Sequence, residues 1–281
     1  VLRINRPGYH TVGELLDEIE WQKAIKADTP LIVPDAIPGK DGSYVQELNG
    51  ETGGPVFTCV MYEFLTGNPP DEKDGDNAVR HFRQLGEATA YLHRQVRSWN
   101  KSNHLNRFTW DTEAMIGQNG RWGRWQAAAG LTPEIRRTLE TVGRIIRKRL
   151  TAYGKDRNRF GLIHADLRLA NLLVENGRMK IIDFDDCGYG WFMHDLAAAV
   201  SFIETKPVTK SLIAAWIEGY SGVGRLTDGD LSEIDTFIMQ RRLQLMAWLA
   251  SHSDSHPVRK LRAGFTEGTA ALAEQYLQKF A

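Results

Sequence analysis

The segment at residues 160–199, FGLIHADLRLANLLVENGRMKIIDFDDCGYGWFMHDLAAA, constrains the fold more than any other part of the chain. An apolar run at residues 160–163 delivers His164 and Asp166 to a loop, and Asn171 follows shortly after. Residues 172–175 and 178–182 alternate or run apolar on either side of Asn176-Gly177. Asn-Gly in that setting predicts a two-residue type I′ hairpin, because both central residues need positive φ. Its second strand ends at Asp183, which the turn folds back towards Asp166 and Asn171. Two carboxylates and a carboxamide are thereby gathered at one end of a hairpin.

Such a set has a chemical use. A carboxamide oxygen and a carboxylate are hard ligands that suit Mg²⁺, which binds through one or two protein groups plus substrate phosphates. Asp166 is then left to orient, or take a proton from, an attacking hydroxyl. The order H-x-D-L-x-x-x-N, a strand, then D-F matches the catalytic loop and metal-binding aspartate of kinases. A plain hairpin with solvated turn acids would account for the acids but not for this order.

Three stretches together, His164-Ala165-Asp166-Leu167 with Asn171-Leu172-Leu173, then residues 182–186 (IDFDD), then residues 194–197 (HDLA), resemble the aminoglycoside phosphotransferase family. That family includes macrolide, choline and homoserine kinases. The likeness covers nearly the whole chain but is strong only over residues 160–199. It implies an α+β, protein-kinase-like two-lobe fold, with a small β-rich lobe at residues 1–65 and a larger helical lobe at 66–281. It further implies Asp166 as catalytic base, Asn171 and Asp183 as Mg²⁺ ligands, and His164 and Asp195 as supports of the catalytic loop. ATP and Mg²⁺ follow as cofactors, and a small-molecule hydroxyl as acceptor.

Composition narrows the partners. The 281 residues are 42% apolar and carry 35 basic and 35 acidic side chains. Zero formal charge removes the usual argument for non-specific nucleic-acid or anionic-membrane binding. No apolar run reaches the roughly 20 residues that span a bilayer. Cys59 and Cys187 lack metal-ligand spacing and suit a reduced, cytoplasmic protein, though one long-range disulfide stays open.

Taken in order, residues 1–4 read as a strand on which Val1 and Arg3 share a face. Thr11-Val12-Gly13-Glu14 is a capping box, and Val12, Leu15, Leu16 and Ile19 extend a helix to about Ala27. In kinases a strand Lys pairs with a helix Glu over the α- and β-phosphates. Here Arg3 stands at the Lys position and Glu18 is the best match to the Glu, with Glu14, Glu20 and, for the cation, Arg6 as competitors. Strands covering the ATP phosphates with a glycine-containing loop are expected upstream of Val1, so the chain reads as part of a longer one. Residues 44–48 and 56–65 are further strands. The family pattern makes Met61 a gatekeeper, gives the Tyr62 to Phe64 backbone to adenine, and adds Leu173 and Ile182 to the nucleotide site.

Beyond Pro70 the pattern is helical at residues 78–99, 132–153, 195–204, 212–220, 231–251 and 258–280. His93 reads as a packed histidine. Residues 100–126, with Trp110, Trp122 and Trp125, could line an acceptor pocket or merely cover a core. Asp185, Trp191, Arg242, Trp248 and Asp254 are candidate acceptor contacts, against the plainer reading of a basic face over a tryptophan-containing core. Two other functions remain alongside a small-molecule kinase. One is a Ser/Thr protein kinase, opposed by the short interval from Asp183 to Asp195, which leaves no room for an activation segment. The other is a non-catalytic kinase-like binding module, opposed by the presence of Asp166, Asn171 and Asp183.

Overall fold

A computed structural model of the chain describes residues 1–50, 53–253 and 256–281. Its smaller lobe is a four-stranded antiparallel sheet built on β4 (Val56–Tyr62). On one edge runs β1 (Leu2–Ile4), in register Arg3 to Val60; on the other run β2 (Ala36–Ile37) and β3 (Val45–Asn49). The first helix, α1 (Val12–Asp28), lies on the face shared by Arg3, Val60 and Tyr62 and packs Ile19 against Val60 and Tyr62. The expected capping box starts it: Thr11 Oγ1 accepts from Glu14 N at 3.2 Å, and the Glu14 carboxylate accepts from Thr11 N at 2.7 Å.

The larger lobe begins with α2 (Asp76–Ser98), followed by β5 (Thr109–Trp110), α3 (Thr112–Ile116) and α4 (Pro133–Tyr153). Thr132 caps α4 with proline at its first position, and Gly154 at φ 80° ends it, as the sequence predicts. Then come β6 (Phe160–Ile163), the hairpin β7 (Leu172–Glu175) and β8 (Arg178–Ile181), β9 (Gly188–Trp191) and α5 (Met193–Ala199). Asn176 and Gly177 have φ of 52° and 75°, the positive pair a type I′ turn demands. The last helices are α6 (Thr209–Ser221), α7 (Asp228–Ser232), α8 (Ile234–Ser251), α9 (His256–Leu261) and α10 (Phe265–Phe280).

Glycines account for one close helix contact and for one departure from the sequence pattern. Helices α2 and α6 approach backbone to backbone: a Cβ on Gly86 would stand 2.0 Å from Trp216 O, and one on Gly219 1.8 Å from Arg83 O. The helix expected over residues 258–280 is instead two, interrupted before α10 where Gly264 adopts φ 69°. Helix α8 is buried on nearly every side rather than amphipathic, so it forms the spine of this lobe. Cys59 and Cys187 are both buried free thiols. Among the described residues, no helix is long and apolar enough to cross a membrane.

Candidate active site

The loop after β6 is held in an uncommon conformation. Ala165 has φ 66°, a region a non-glycine residue enters at a cost. Asp195, in the first turn of α5, offsets that cost by accepting from Ala165 N at 2.8 Å and from His164 N at 3.3 Å. The same carboxylate meets His93 Nε2 at 3.1 Å, and His93 Nδ1 meets Tyr220 OH at 3.1 Å. All of this is buried. Burial alone would raise the Asp195 pKa, but the hydrogen bond and charge of His93 outweigh it and lower it. His93 is thus packed, as expected, with a bracing role its sequence position did not reveal. His164 Nε2 donates to Ile182 O at 3.2 Å, tying the loop to the end of β8, and its ring packs on Phe184.

At the loop tip Asp166 is anchored through both oxygens. Oδ2 accepts from Asn171 Nδ2 at 2.8 Å and Arg168 Nε at 3.2 Å, while Oδ1 accepts from Arg241 Nη2 on α8. Burial works to raise its pKa, but Arg241 and then Arg168 outweigh it, so the carboxylate is held below its ordinary range. Asn171 commits its amide nitrogen to Asp166, to the backbone oxygen at 2.9 Å as well as to the carboxylate. Its Oδ1 is turned away and has no donor among the described residues. Asp183, at φ 66°, opens to the cleft with no donor among those residues either. Partial loss of water raises its pKa, and the like charges of Asp166 and Asp185 add to that.

These features fit a divalent cation. An undonated carboxamide oxygen and an undonated carboxylate whose ionised form is disfavoured by its neighbours are what such an ion would relieve. Among the described residues no three His, Cys, Asp or Glu side chains are grouped to hold a metal. A site of one carboxylate and one carboxamide, completed by phosphate oxygens, accords with that.

Arg3 and Glu18 form a two-pronged pair, Nη1 to Oε1 at 2.8 Å and Nη2 to Oε2 at 2.9 Å. Glu18 is fully buried and also accepts from Tyr62 OH at 3.0 Å, so Glu14 and Glu20 are excluded as the partner. Asp185 stands 3.6 Å from Arg3 and 3.1 Å from His10. Glu18→Gln should lower the melting temperature in thermal unfolding. The loss should be smaller than the roughly 3–5 kcal/mol of a fully buried pair, because Arg3 keeps Asp185 and some solvent. An unchanged melting temperature would contradict this reading.

Strand phase corrects the expected adenine contacts. Met61 lies opposite Leu2 and Ile37, on the outer sheet face and 42% exposed, whereas Tyr62 lies on the Arg3 face with its ring 5.2 Å from the guanidinium. The Tyr62 N–H and carbonyl are both taken by Val1 at 2.7 and 2.6 Å, and Glu63 N by Asp35 O at 2.8 Å. Of the expected backbone donors only Phe64, with its exposed side chain, has no such partner among the described residues. Leu173 and Ile182 are half-buried at the base of the hairpin.

A cavity of about 490 Å³ opens beside these groups, lined among others by Arg3, Tyr9, Trp122, Asp185, Asp186 and Trp248. Trp122 Nε1 donates to Tyr9 OH at 3.0 Å, and Tyr9 OH donates to Asp186 Oδ1 at 2.8 Å. Burial, then the charges of Asp166 and Asp185, push the Asp186 carboxyl up to about 7. Trp248 and Asp185, two of the candidate acceptor contacts, line this cavity. Trp191 does not: it is a core residue donating to Gly154 O at 2.7 Å. Arg242 is bound to Glu204 at 2.6 Å and packs on Phe265, and it is the adjacent Arg241 that enters the site. Asp254 lies outside the described residues.

A loop that anchors Asp166 and Asn171, an Arg–Glu pair on strand and helix, and an acid closing a hairpin on one cleft define a protein-kinase-like phosphotransferase. Residues 1–231 match the phosphotransferase enzyme family, and the chain belongs to that family. A microcompartment-associated aminopropanol kinase of known structure is 35% identical and superimposes with a TM-score of 0.90, covering 99% of this chain and 86% of its own. The amicoumacin kinase of Bacillus subtilis is 25% identical over 284 residues, spanning 94% of this chain and 79% of that protein. The amicoumacin kinase hAmiN, solved with AMP-PNP, Ca²⁺ and Ami, shares the fold at a TM-score of 0.74 and 21% identity, covering 96% of this chain and 81% of its own. The chain is accordingly a kinase, transferring a phosphoryl group from ATP to the hydroxyl of a small molecule.

Proposed function

We propose that the acceptor is a small alcohol bearing a primary amine, with its hydroxyl at Asp166 and its ammonium against Asp186. The observation that carries this is the cavity whose acids, Asp185 and Asp186, stand among the rings of Tyr9, Trp122 and Trp248, with the charge of Asp166 acting on the Asp186 carboxyl. Carboxylate and aromatic faces together suit an ammonium group. The 35% identical aminopropanol kinase, named for an acceptor of this class, supports the reading.

Within it, Arg3 binds the ATP phosphates and Glu18 fixes its orientation. Asn171 Oδ1 and the Asp183 carboxylate would hold Mg²⁺, which neutralises phosphate charge when bound. Asp166 orients the acceptor oxygen for in-line attack and takes its proton as the bond to phosphorus forms. The transition state is loose, so orientation matters more than basicity, and a carboxylate of lowered pKa suffices. We also place the lobe boundary at residues 65–66, which the exchange of hydrogen bonds between Asn68 and Val174, at 2.8 and 3.1 Å, supports from the large-lobe side.

The test is a panel of amino alcohols against the same molecules with the amine replaced by hydroxyl or methyl. Amines should be preferred in kcat/KM, and equal use of the neutral analogues would refute the amine assignment. The Asp186 carboxyl, raised to about 7, adds a pH signature. It is neutral below that value and charged above it, while a primary amine stays protonated to about 10. KM for the amine should therefore fall as pH rises through about 7, by close to tenfold per unit on the acid side. Asp186→Asn should show a high KM that is flat with pH. A wild-type KM that is flat from pH 6 to 8 would remove Asp186 from the assignment.

A further inference from the structure

We infer that Arg241 is a positioning residue that sets the plane of the Asp166 carboxylate and ties it to the wall of the acceptor cavity. This rests on Asp166 being the base. Arg241 lies beyond residues 1–231, the part matched to the family. It is 1% exposed on a helix buried on nearly every side. A charge so placed is costly unless its donors are used. Nε donates to Ser201 Oγ and Nη1 to Gln244 Oε1, each at 3.1 Å, and Nη2 donates to Asp166 Oδ1. Its guanidinium carbon lies 5.0 Å from the Trp122 ring centre. Ser201 and Gln244 hold the fork still, so its remaining prong is aimed at one oxygen.

The geometry shows why that matters. Asn171 and Arg168 hold only Oδ2. The last torsion of an aspartate is broad and soft, so a carboxylate held at one oxygen swings about it. With Arg241 on Oδ1, both ends are fixed and the unused lone pairs have one direction in which to meet a hydroxyl. Small misplacements at this step cost up to about 100-fold in rate. The wall of the cavity shares the same cation. Asp186, Tyr9 and Trp122 are linked by hydrogen bonds of 2.8 and 3.0 Å, and Trp122 stacks on Arg241. An acceptor seated against Tyr9 and Trp122 thus presses on the group that aims the base.

The experiment compares Arg241→Lys, Arg241→Met and Arg241→Ala for kcat, for acceptor KM and for Mg²⁺-nucleotide affinity, with Asp166→Asn alongside. Arg241→Met should lose about 100-fold in kcat, with nucleotide affinity within about twofold of wild type. Arg241→Lys, which keeps the charge but not the fork, should fall between. Low-millimolar guanidinium should restore turnover to Arg241→Ala in a saturable way, which repair of a merely structural defect would not do. Trp122→Phe combined with Arg241→Lys should be non-additive in kcat if the stack couples them. A folded Arg241→Met with kcat within threefold of wild type, or a loss confined to acceptor KM, overturns the inference. If Arg241→Met fails to fold, Arg241→Lys with wild-type kcat overturns it, as does Arg241→Ala without guanidinium rescue. An active Asp166→Asn would overturn the base assignment instead, so the two failures are told apart.

Discussion

Asp166→Asn is expected to lower kcat by about 10³-fold, within the range for a positioned acid or base, while Mg²⁺-nucleotide affinity stays close to wild type. Asparagine keeps the size and the planar shape but removes the charge that we propose receives the hydroxyl proton. Its new amide hydrogens would also face a set of donors, Arg241 and Arg168 and the Asn171 amide. Arg241 is then buried without its countercharge, so some loss of stability accompanies the loss of rate. Single-turnover kinetics and nucleotide titration on the same folded sample separate the two effects. If the variant loses nucleotide binding as severely as turnover, Asp166 acts on the metal or the loop, and its assignment as base fails.

Much of this site was readable in one dimension because its parts are local. The loop, the Asn-Gly turn and Asp183 fall in one short stretch, and turn chemistry alone folds it back on itself. Arg3 and Glu18 were readable for a related reason: strand alternation fixes one and a capping box sets the phase of the other. What was not readable depends on facing. Met61 and Tyr62 are neighbours on a strand, and only the register of β1 on β4 decides which of them joins Arg3. Arg241 and Arg242 are neighbours on a helix buried on nearly every side, where hydrophobic periodicity defines no inner face. The cavity wall is tertiary in origin, since Tyr9, Trp122 and Asp186 come from three distant loops. Strand β9 carries no legible strand signal because glycines at 188 and 190 interrupt any side-chain alternation; a Cβ on Gly188 would stand 2.7 Å from Phe108 O, so close backbone packing favours glycine there.

Asp183→Asn should separate metal binding from base chemistry. Asparagine is among the few residues that tolerate positive φ, so the variant keeps the backbone at 66° while removing one charge. Disturbing outer partners of a bound metal already costs 10- to 100-fold in affinity, so removing the charged ligand proposed for it should weaken Mg²⁺-dependent nucleotide binding by about 100-fold or more. Without Mg²⁺ the sign reverses. The carboxylates of Asp166, Asp183 and Asp185 repel one another and would repel phosphate, so removing one should leave metal-free nucleotide binding unchanged or tighter. The measurement is nucleotide affinity with and without Mg²⁺ in wild type and variant. A loss of equal size in both conditions would mean that Asp183 shapes the cleft rather than holding the ion. A loss confined to the Mg²⁺ titration, set beside an Asp166→Asn variant that binds normally but does not turn over, divides the two carboxylates between metal and acceptor.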